Sequence, residues 1–247
     1  MTDIFNNGKL LMLACDQGFE HGPEDFNLKN IDPQYIFDLA IKGRFTAIAL
    51  QAGIAKHYYH GANRQIPLVV KLNGKTKYDS KDPVSTQNTT VEYAFKLGAS
   101  AVGYTIYLGS NHEQLMFREF AKIVREAHEY GLTAICWMYP RGPHIKDDLS
   151  TETLAYGARI AHELGADVVK LKYNGDLEAM KWVVKCAAKT KVVFAGGSKV
   201  NEAEFLKLAQ TMNETGAIGL AVGRNIFQSD RPLKMAKDLV RIYDLKL

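Results

Sequence analysis

Two lysines placed two residues apart are the residues best suited to chemistry in this sequence. Lys170 and Lys172 interrupt an apolar run in the stretch 167–176, DVVKLKYNGD, which favours a β-strand. In a strand the two side chains share one face. If that face lines the inside of a barrel, burial and the like-charged neighbour lower the pKa of a lysine, and the resulting neutral amine can attack a carbonyl carbon. The alternative is an edge strand with two solvated lysines.

Acidic, aromatic and basic residues follow other apolar runs. Asp16 comes directly after the run 11–15, and Arg141 follows the run that contains Trp137 and Tyr139. A lysine cation near Tyr139 would favour its phenolate, which could exchange a proton with a sugar hydroxyl. The alternatives are that Asp16 only caps a turn and that the two aromatic residues only pack in the core.

Two glycine-containing segments near the C-terminus predict a phosphate site. Residues 195–199 read AGGSK and residues 222–225 read VGRN, each after an apolar run. Glycine allows the backbone to approach an anion closely, and N–H groups at the start of a helix point toward it. In α/β barrels the loops after the seventh and eighth strands commonly bind phosphate. The sequence therefore predicts a phosphorylated substrate.

Composition excludes several classes of protein. The 247 residues are 47% hydrophobic and 23% charged, as in a globular protein without a membrane span. Lys and Arg number 31 against 27 Asp and Glu, a balance too even to predict binding of nucleic acid. Cys15, Cys136 and Cys186 show neither disulfide nor zinc-ligand spacing. With no signal-peptide pattern, a cytoplasmic protein without a bound metal is expected.

Eight apolar runs alternate with helical patterns along the chain, which predicts an α/β protein with one (β/α)8 TIM barrel spanning residues 1–247. The runs show little two-residue alternation, as expected for parallel strands covered on both faces. An open doubly wound sheet is the alternative, but the first strand is not followed by its G-x-G-x-x-G motif. The predicted strands are Leu10–Asp16, Phe45–Gln51, Pro67–Asn73, Ala101–Tyr107, Thr133–Tyr139, Asp167–Tyr173, Lys191–Ala195 and Ala217–Val222.

Seven sequence blocks in one order carry a resemblance to a known family. The chain resembles the archaeal-type class I fructose-1,6-bisphosphate aldolases, which are DeoC-like enzymes, from about residue 9 to the last helix. The blocks are DQGFEHGP at 16–23, KLNGKT at 71–76, GYTIYLGS at 103–110, WMYPRG at 137–142, VKLKYNGD at 169–176, AGGSK at 195–199 and AVGRN at 221–225. The resemblance implies reversible cleavage of fructose 1,6-bisphosphate through a Schiff base, without metal or cofactor, in a homo-oligomer that is a decamer of two pentamers.

The resemblance also implies a role for individual residues. Lys170 falls on the Schiff-base lysine and Tyr139 on the proton donor, while Asp16 is expected to orient hydroxyls and assist proton transfer. Lys172 is expected to help lower the pKa of Lys170. The implied substrate contacts are Gln17, His21, Asp25, Trp137, Arg141, Lys172, Gly196, Gly197, Gly223 and Arg224.

Three other functions compete with this interpretation. Two are related lysine-dependent barrels, a 2-amino-3,7-dideoxy-D-threo-hept-6-ulosonate synthase and a phosphorylated-signal thiolase. The segments EHG at 20–22 and KLNGKT at 71–76 favour the aldolase. The third is a catalytically silent barrel that only binds phosphosugars, and the presence of both Lys170 and Tyr139 argues against it.

Overall fold

Eight parallel strands form a closed barrel in the computed structural model, which describes residues 3–78 and 81–246. Each strand pairs with its neighbours in sequence, and β8 closes the barrel by pairing with β1. The strands are β1 Leu10–Ala14, β2 Ala47–Gln51, β3 Leu68–Lys71, β4 Ala101–Leu108, β5 Thr133–Pro140, β6 Val168–Leu171, β7 Lys191–Ala195 and β8 Gly219–Val222. The predicted (β/α)8 barrel is confirmed, and the open doubly wound sheet is wrong.

Helices surround the barrel and connect its strands. They are α1 Gln17–His21, α2 Gln34–Lys42, α3 Ala52–Tyr58, α4 Val91–Lys96, α5 Glu113–Glu129, α6 Thr151–Glu163, α7 Leu177–Cys186, α8 Glu202–Glu214, α9 Arg224–Phe227 and α10 Pro232–Ile242, with 3-10 turns at Gly22–Asp25 and Gly61–Gln65. The side chains of Thr90, Ser150, Asp176 and Asn201 accept hydrogen bonds from the first turns of α4, α6, α7 and α8. These caps fix where the helices begin. In the described ranges no helix is long and apolar enough to cross a membrane.

The strands bury residues on both faces. Outward-facing residues such as Leu11 and Leu13 pack beneath the helices, whereas Leu10 and Met12 fill the barrel interior. Because residues two apart share a face, interior positions can be followed along each strand. By this alternation Lys71 shares the interior face of β3 with Val69, and Lys170 shares the interior face of β6 with Val168. Both lysines are buried.

The strand ends differ from those predicted at two positions that concern the site. Strand β1 ends at Ala14 and leaves Asp16 in the turn before α1, and β6 ends at Leu171 and leaves Lys172 outside the strand. The pairing of β6 with β7 stops at Leu171. Beyond that point Lys172 forms an ion pair with Asp148 on the loop before α6.

Candidate active site

A cavity of about 440 Å³ opens at the C-terminal ends of the strands. In such barrels this end carries the active site. Most of the predicted site residues line it: Asp16, His21, Trp137, Tyr139, Arg141, Lys170, Lys172, Gly196, Gly197, Gly223 and Arg224. The predicted contacts Gln17 and Asp25 belong to short helical turns beside it, and their side chains lie outside the part of the chain that the structure describes.

Lys170 lies inside the barrel, so the alternative of an edge strand is wrong. The residue is only 5% exposed, and its ammonium nitrogen lies 5.2 Å from the ring centre of Trp137 and 5.9 Å from that of Tyr139. Burial lowers the pKa of Lys170, and the negative charges of Asp16 and Glu20 partly oppose this effect. A lowered pKa increases the fraction of neutral amine, which is the form able to attack a carbonyl.

Gly103 on β4 leaves space for the indole ring of Trp137, which lies beside Lys170. A Cβ atom at Gly103 would lie 1.9 Å from Cζ3 and 2.2 Å from Cη2 of the indole ring. The ring therefore packs directly against the β4 backbone. Its Nε1–H is buried and has no hydrogen-bond partner among the residues described. Trp137 thus has a fixed position inside the barrel.

Lys172 does not play the electrostatic part expected of it. Its ammonium group pairs with the carboxylate of Asp148, although the side chain also borders the cavity. The negative charges that act on Lys170 belong to Asp16 and Glu20. Burial, and not the charge of Lys172, is therefore the main cause of the lowered pKa of Lys170.

The predicted phenolate at Tyr139 is also wrong. Burial raises the pKa of Tyr139 far above its usual range, and Asp16 and Glu20 raise it further. Arg141 and Arg224 oppose this shift only in part. Tyr139 is therefore a phenol at neutral pH, and this form can donate a proton.

Two charged residues of the cavity region, Lys71 and Glu20, were not among the predicted site residues. Lys71 is completely buried, with its ammonium nitrogen 4.0 Å from Oδ2 of Asp16 and 3.1 Å from the carbonyl oxygen of Asn73, to which it donates. Glu20 lines the cavity and accepts a hydrogen bond of 3.3 Å from the hydroxyl of Tyr107. Both residues stand in blocks that carry the resemblance. The two-residue spacing between Val69 and Lys71 was the only sequence feature that could have placed Lys71 on the interior face of its strand.

An asparagine joins the two glycine-containing loops. The amide nitrogen of Asn225 donates to the carbonyl oxygens of Gly196, at 2.8 Å, and Ser198, at 2.9 Å, while its oxygen accepts from the backbone N–H of Val200. Arg224 approaches the carbonyl of Gly197 at 3.4 Å. Asn225 was not predicted as a site residue, yet it fixes the geometry of both loops.

The backbone N–H groups of these loops are not equivalent. The N–H of Gly196 donates to the carbonyl of Ala221 at 2.8 Å and continues the ladder between β7 and β8, so it is already used. Gly197 has a φ of +70°, which side-chain-bearing residues rarely adopt. Gly223 begins α9, and a Cβ there would lie 2.6 Å from the carbonyl oxygen of Ala14. Gly197 and Gly223 are therefore better placed than Gly196 to offer N–H groups to an anion.

Further cations stand near Tyr107 and Tyr139. The guanidinium carbon of Arg141 lies 5.8 Å from the ring centre of Tyr107 and 5.7 Å from that of Tyr139. The ammonium of Lys75 lies 5.9 Å from the ring centre of Tyr107. With Arg224 in the loop after β8, the mouth of the barrel carries positive charge from separate elements. Such an arrangement suits a substrate with more than one phosphate.

Known proteins match this chain along most of its length. Residues 10–229 match the profile of the DeoC/LacD family of aldolases. A protein of Thermoproteus tenax named fructose-bisphosphate aldolase class 1 is 48% identical over 238 residues, which are 95% of this chain and 89% of that protein.

Solved structures agree with the sequence match. An archaeal fructose-1,6-bisphosphate aldolase, whose catalytic lysine is covalently bound to the carbinolamine intermediate of its substrate, superposes with a TM-score of 0.90 and 46% identity, covering 96% of this chain and 94% of that one. A Schiff-base-forming fructose-1,6-bisphosphate aldolase gives a TM-score of 0.91 at 46% identity, covering 96% and 94%. The predicted resemblance is confirmed. The chain belongs to the DeoC/LacD family of aldolases.

Proposed function

We propose that this protein is a class I fructose-bisphosphate aldolase, which reversibly cleaves fructose 1,6-bisphosphate to dihydroxyacetone phosphate and glyceraldehyde 3-phosphate in glycolysis and gluconeogenesis. The observation that supports it best is the buried ammonium of Lys170, whose pKa is lowered, beside the protonated phenol of Tyr139. Relatives that cover nearly the whole chain carry the same activity in their names.

Lys170 begins the reaction. Its neutral amine attacks the C2 ketone and forms a carbinolamine, which loses water to give an iminium ion. The iminium draws the electron pair of the C3–C4 bond as that bond breaks, leaving an enamine on Lys170. Glyceraldehyde 3-phosphate departs, and protonation and hydrolysis of the enamine release dihydroxyacetone phosphate.

Tyr139 carries the protons in an order set by its raised pKa. The phenol first donates its proton to the carbinolamine hydroxyl, which leaves as water, and the new iminium cation stabilises the phenolate. The phenolate then accepts the proton of the C4 hydroxyl as the C3–C4 bond breaks, and it later donates that proton to the enamine carbon. Asp16 orients the hydroxyls and assists proton transfer at the carbinolamine.

The substrate phosphates are bound by groups at two sides of the cavity. Arg224 and the N–H groups of Gly197 and Gly223 hold the phosphate nearest the ketone through charge-assisted hydrogen bonds. The hydrogen bonds of Asn225 keep the loops that carry these groups in place. Arg141 contacts the distal part of the substrate. The other proposed contacts are Gln17, His21, Asp25, Trp137, Lys172 and Gly196.

We further propose a cytoplasmic homo-oligomer, a decamer as the family resemblance implies. The three cysteines are free thiols, as is usual in a reducing compartment. Light scattering on the purified protein would give the mass of the assembly directly, and a monomeric mass would contradict the oligomer.

A coupled cleavage assay with fructose 1,6-bisphosphate tests the activity itself. The expected result is turnover that a strong chelator leaves unchanged, because the iminium supplies the electrophile. A silent phosphosugar-binding protein would bind without turnover. Activity lost with the chelator and restored by a divalent metal would contradict the Schiff-base mechanism.

A further inference from the structure

A second lysine shares the surroundings of Lys170 inside the barrel. Lys71 ends β3, and its ammonium nitrogen lies 5.7 Å from the ring centre of Trp137, the ring against which Lys170 lies at 5.2 Å. Its side chain is 1% exposed. A charged group so deeply buried is costly unless it is paired and hydrogen-bonded, so its presence calls for a reason.

The contacts of these two lysines are unequal. Lys71 has the carboxylate of Asp16 at 4.0 Å and donates to the carbonyl of Asn73 at 3.1 Å. Asn73 is itself anchored to both neighbouring segments, through hydrogen bonds with Ser85 and Thr105. Within the described ranges, the ammonium of Lys170 has aromatic rings beside it but neither a hydrogen bond nor an ion pair. The fixed partners therefore favour the charge on Lys71.

The other ionisable groups around the pair do not alter this balance. Cys15 and Cys136 are buried thiols whose pKa is raised, so they stay neutral. Tyr139 is a neutral phenol. Glu20, the second carboxylate, accepts from Tyr107, and its charge raises the pKa of both lysines, so it does not favour the charge on one over the other.

Asp16 is thus the carboxylate that forms an ion pair with one of the two lysines, Lys71. Two ammonium groups in this enclosed site repel each other. Burial is the main cause that lowers the pKa of Lys71, and the positive charge of Lys170 adds to it, whereas the carboxylate of Asp16 raises the pKa of both lysines. If one lysine is to be neutral, the lysine without a fixed partner loses its proton first.

We propose that Lys71 is a positioning residue for Lys170: its buried ammonium takes Asp16 as counter-ion and thereby leaves Lys170 as the uncharged amine that attacks the ketone. This inference rests on the proposed aldolase function. In this proposal β3 contributes a residue that controls the charge of Lys170, a role distinct from phosphate binding and from proton transfer by Tyr139. It also gives a buried charge a function that a hydrocarbon side chain could not perform.

The test is the pH dependence of borohydride trapping with dihydroxyacetone phosphate. Lys71→Met removes the charge and the donor, whereas Lys71→Gln removes the charge but keeps a donor for the Asn73 carbonyl. In both variants Asp16 becomes free to pair with Lys170, so we expect the pH of half-maximal trapping to rise by about one unit or more. Trapping at neutral pH should fall about tenfold or more, and it should recover at higher pH.

Lys207→Met provides the control, because Lys207 is exposed on α8 and does not itself line the cavity. It should keep the wild-type profile. Circular dichroism and thermal melting establish which variants fold. A folded Lys71→Gln protein with the wild-type profile would overturn the inference, since the charge would then be irrelevant.

The wild-type protein gives a result that does not depend on any variant folding. Trapping should already be half-maximal well below the pKa of about 10.4 of an ordinary lysine. A wild-type profile that rises only near that pH would overturn the inference about Lys71 while leaving the aldolase function intact. Complete absence of trapping in the wild-type protein would instead refute the proposed function.

Discussion

Gly103 offers a sharp test of how the site is built, because its missing side chain is what allows Trp137 to lie beneath Lys170. In Gly103→Ala the new Cβ would be 1.9 Å from Cζ3 and 2.2 Å from Cη2 of the indole. Carbon atoms in contact lie about 3.5–4.0 Å apart, so the ring must move by about 1.5–2 Å. Overpacking of this kind costs about 1–3 kcal/mol of stability.

Both stability and turnover should fall in Gly103→Ala. For a domain of this size the lost stability corresponds to a fall in Tm of about 2–12 °C. Trp137 supports Lys170, and a misplacement of about 1 Å can lower a rate about 10²-fold. We therefore expect the cleavage rate to fall by about that factor in protein that remains folded at the assay temperature.

Gly53→Ala is the matched control. A Cβ at Gly53, near the start of α3, would meet no atom within 4 Å. Alanine there should keep wild-type turnover and leave the Tm unchanged or slightly raised, since alanine favours helix more than glycine. Both variants should be compared in a coupled cleavage assay and by thermal melting. Wild-type turnover in Gly103→Ala would refute the idea that the indole position controls Lys170.

Two further substitutions separate proton transfer from phosphate binding. Tyr139→Phe keeps the ring but removes the phenolic proton, so turnover should fall about 10²–10⁴-fold while a covalent sugar adduct accumulates on Lys170, as intact-mass spectrometry would show. Near-normal turnover without an adduct would remove Tyr139 from the mechanism. Arg224→Ala should raise KM for fructose 1,6-bisphosphate about 10- to 100-fold through loss of a charge-assisted hydrogen bond, with a smaller effect on kcat. An unchanged KM in steady-state kinetics would show that Arg224 does not bind phosphate.

The barrel and the buried position of Lys170 could be predicted because both leave local patterns. Eight apolar runs between helical segments indicate strands covered on two faces, and lysine within such a run is unusual enough to predict a special environment. The structure confirms the eight strands and buries Lys170 in the sixth. These features depend mainly on residues near one another in sequence.

The features that sequence reasoning missed depend on contacts between distant segments. Lys172 lies outside the strand and pairs with Asp148, which is on another loop. The pKa of Tyr139 is raised because burial and the charges of Asp16 and Glu20 act together in the closed barrel. A local sequence pattern shows neither the burial of Tyr139 nor its proximity to Asp16 and Glu20, and for this reason the predicted phenolate was wrong.

The interior position of Lys71 also depends on contacts that its own segment does not determine. A lysine at the end of an apolar run can lie at the solvated rim or turn inward, and the run itself does not decide between these positions. The register of β3 with β2 and β4 places Lys71 on the interior face above Val69. Asp16, 55 positions earlier in the chain, then becomes its partner.

The most direct measurement is peptide mapping after borohydride reduction in the presence of dihydroxyacetone phosphate. The Schiff-base mechanism predicts one covalent addition, on the peptide that contains Lys170, and no addition in Lys170→Arg, because a guanidinium stays protonated at neutral pH. Lys172→Met, which leaves the nucleophile in place, should still be labelled. Label on Lys170→Arg together with loss of label in Lys172→Met would contradict the assignment and make Lys172 the nucleophile.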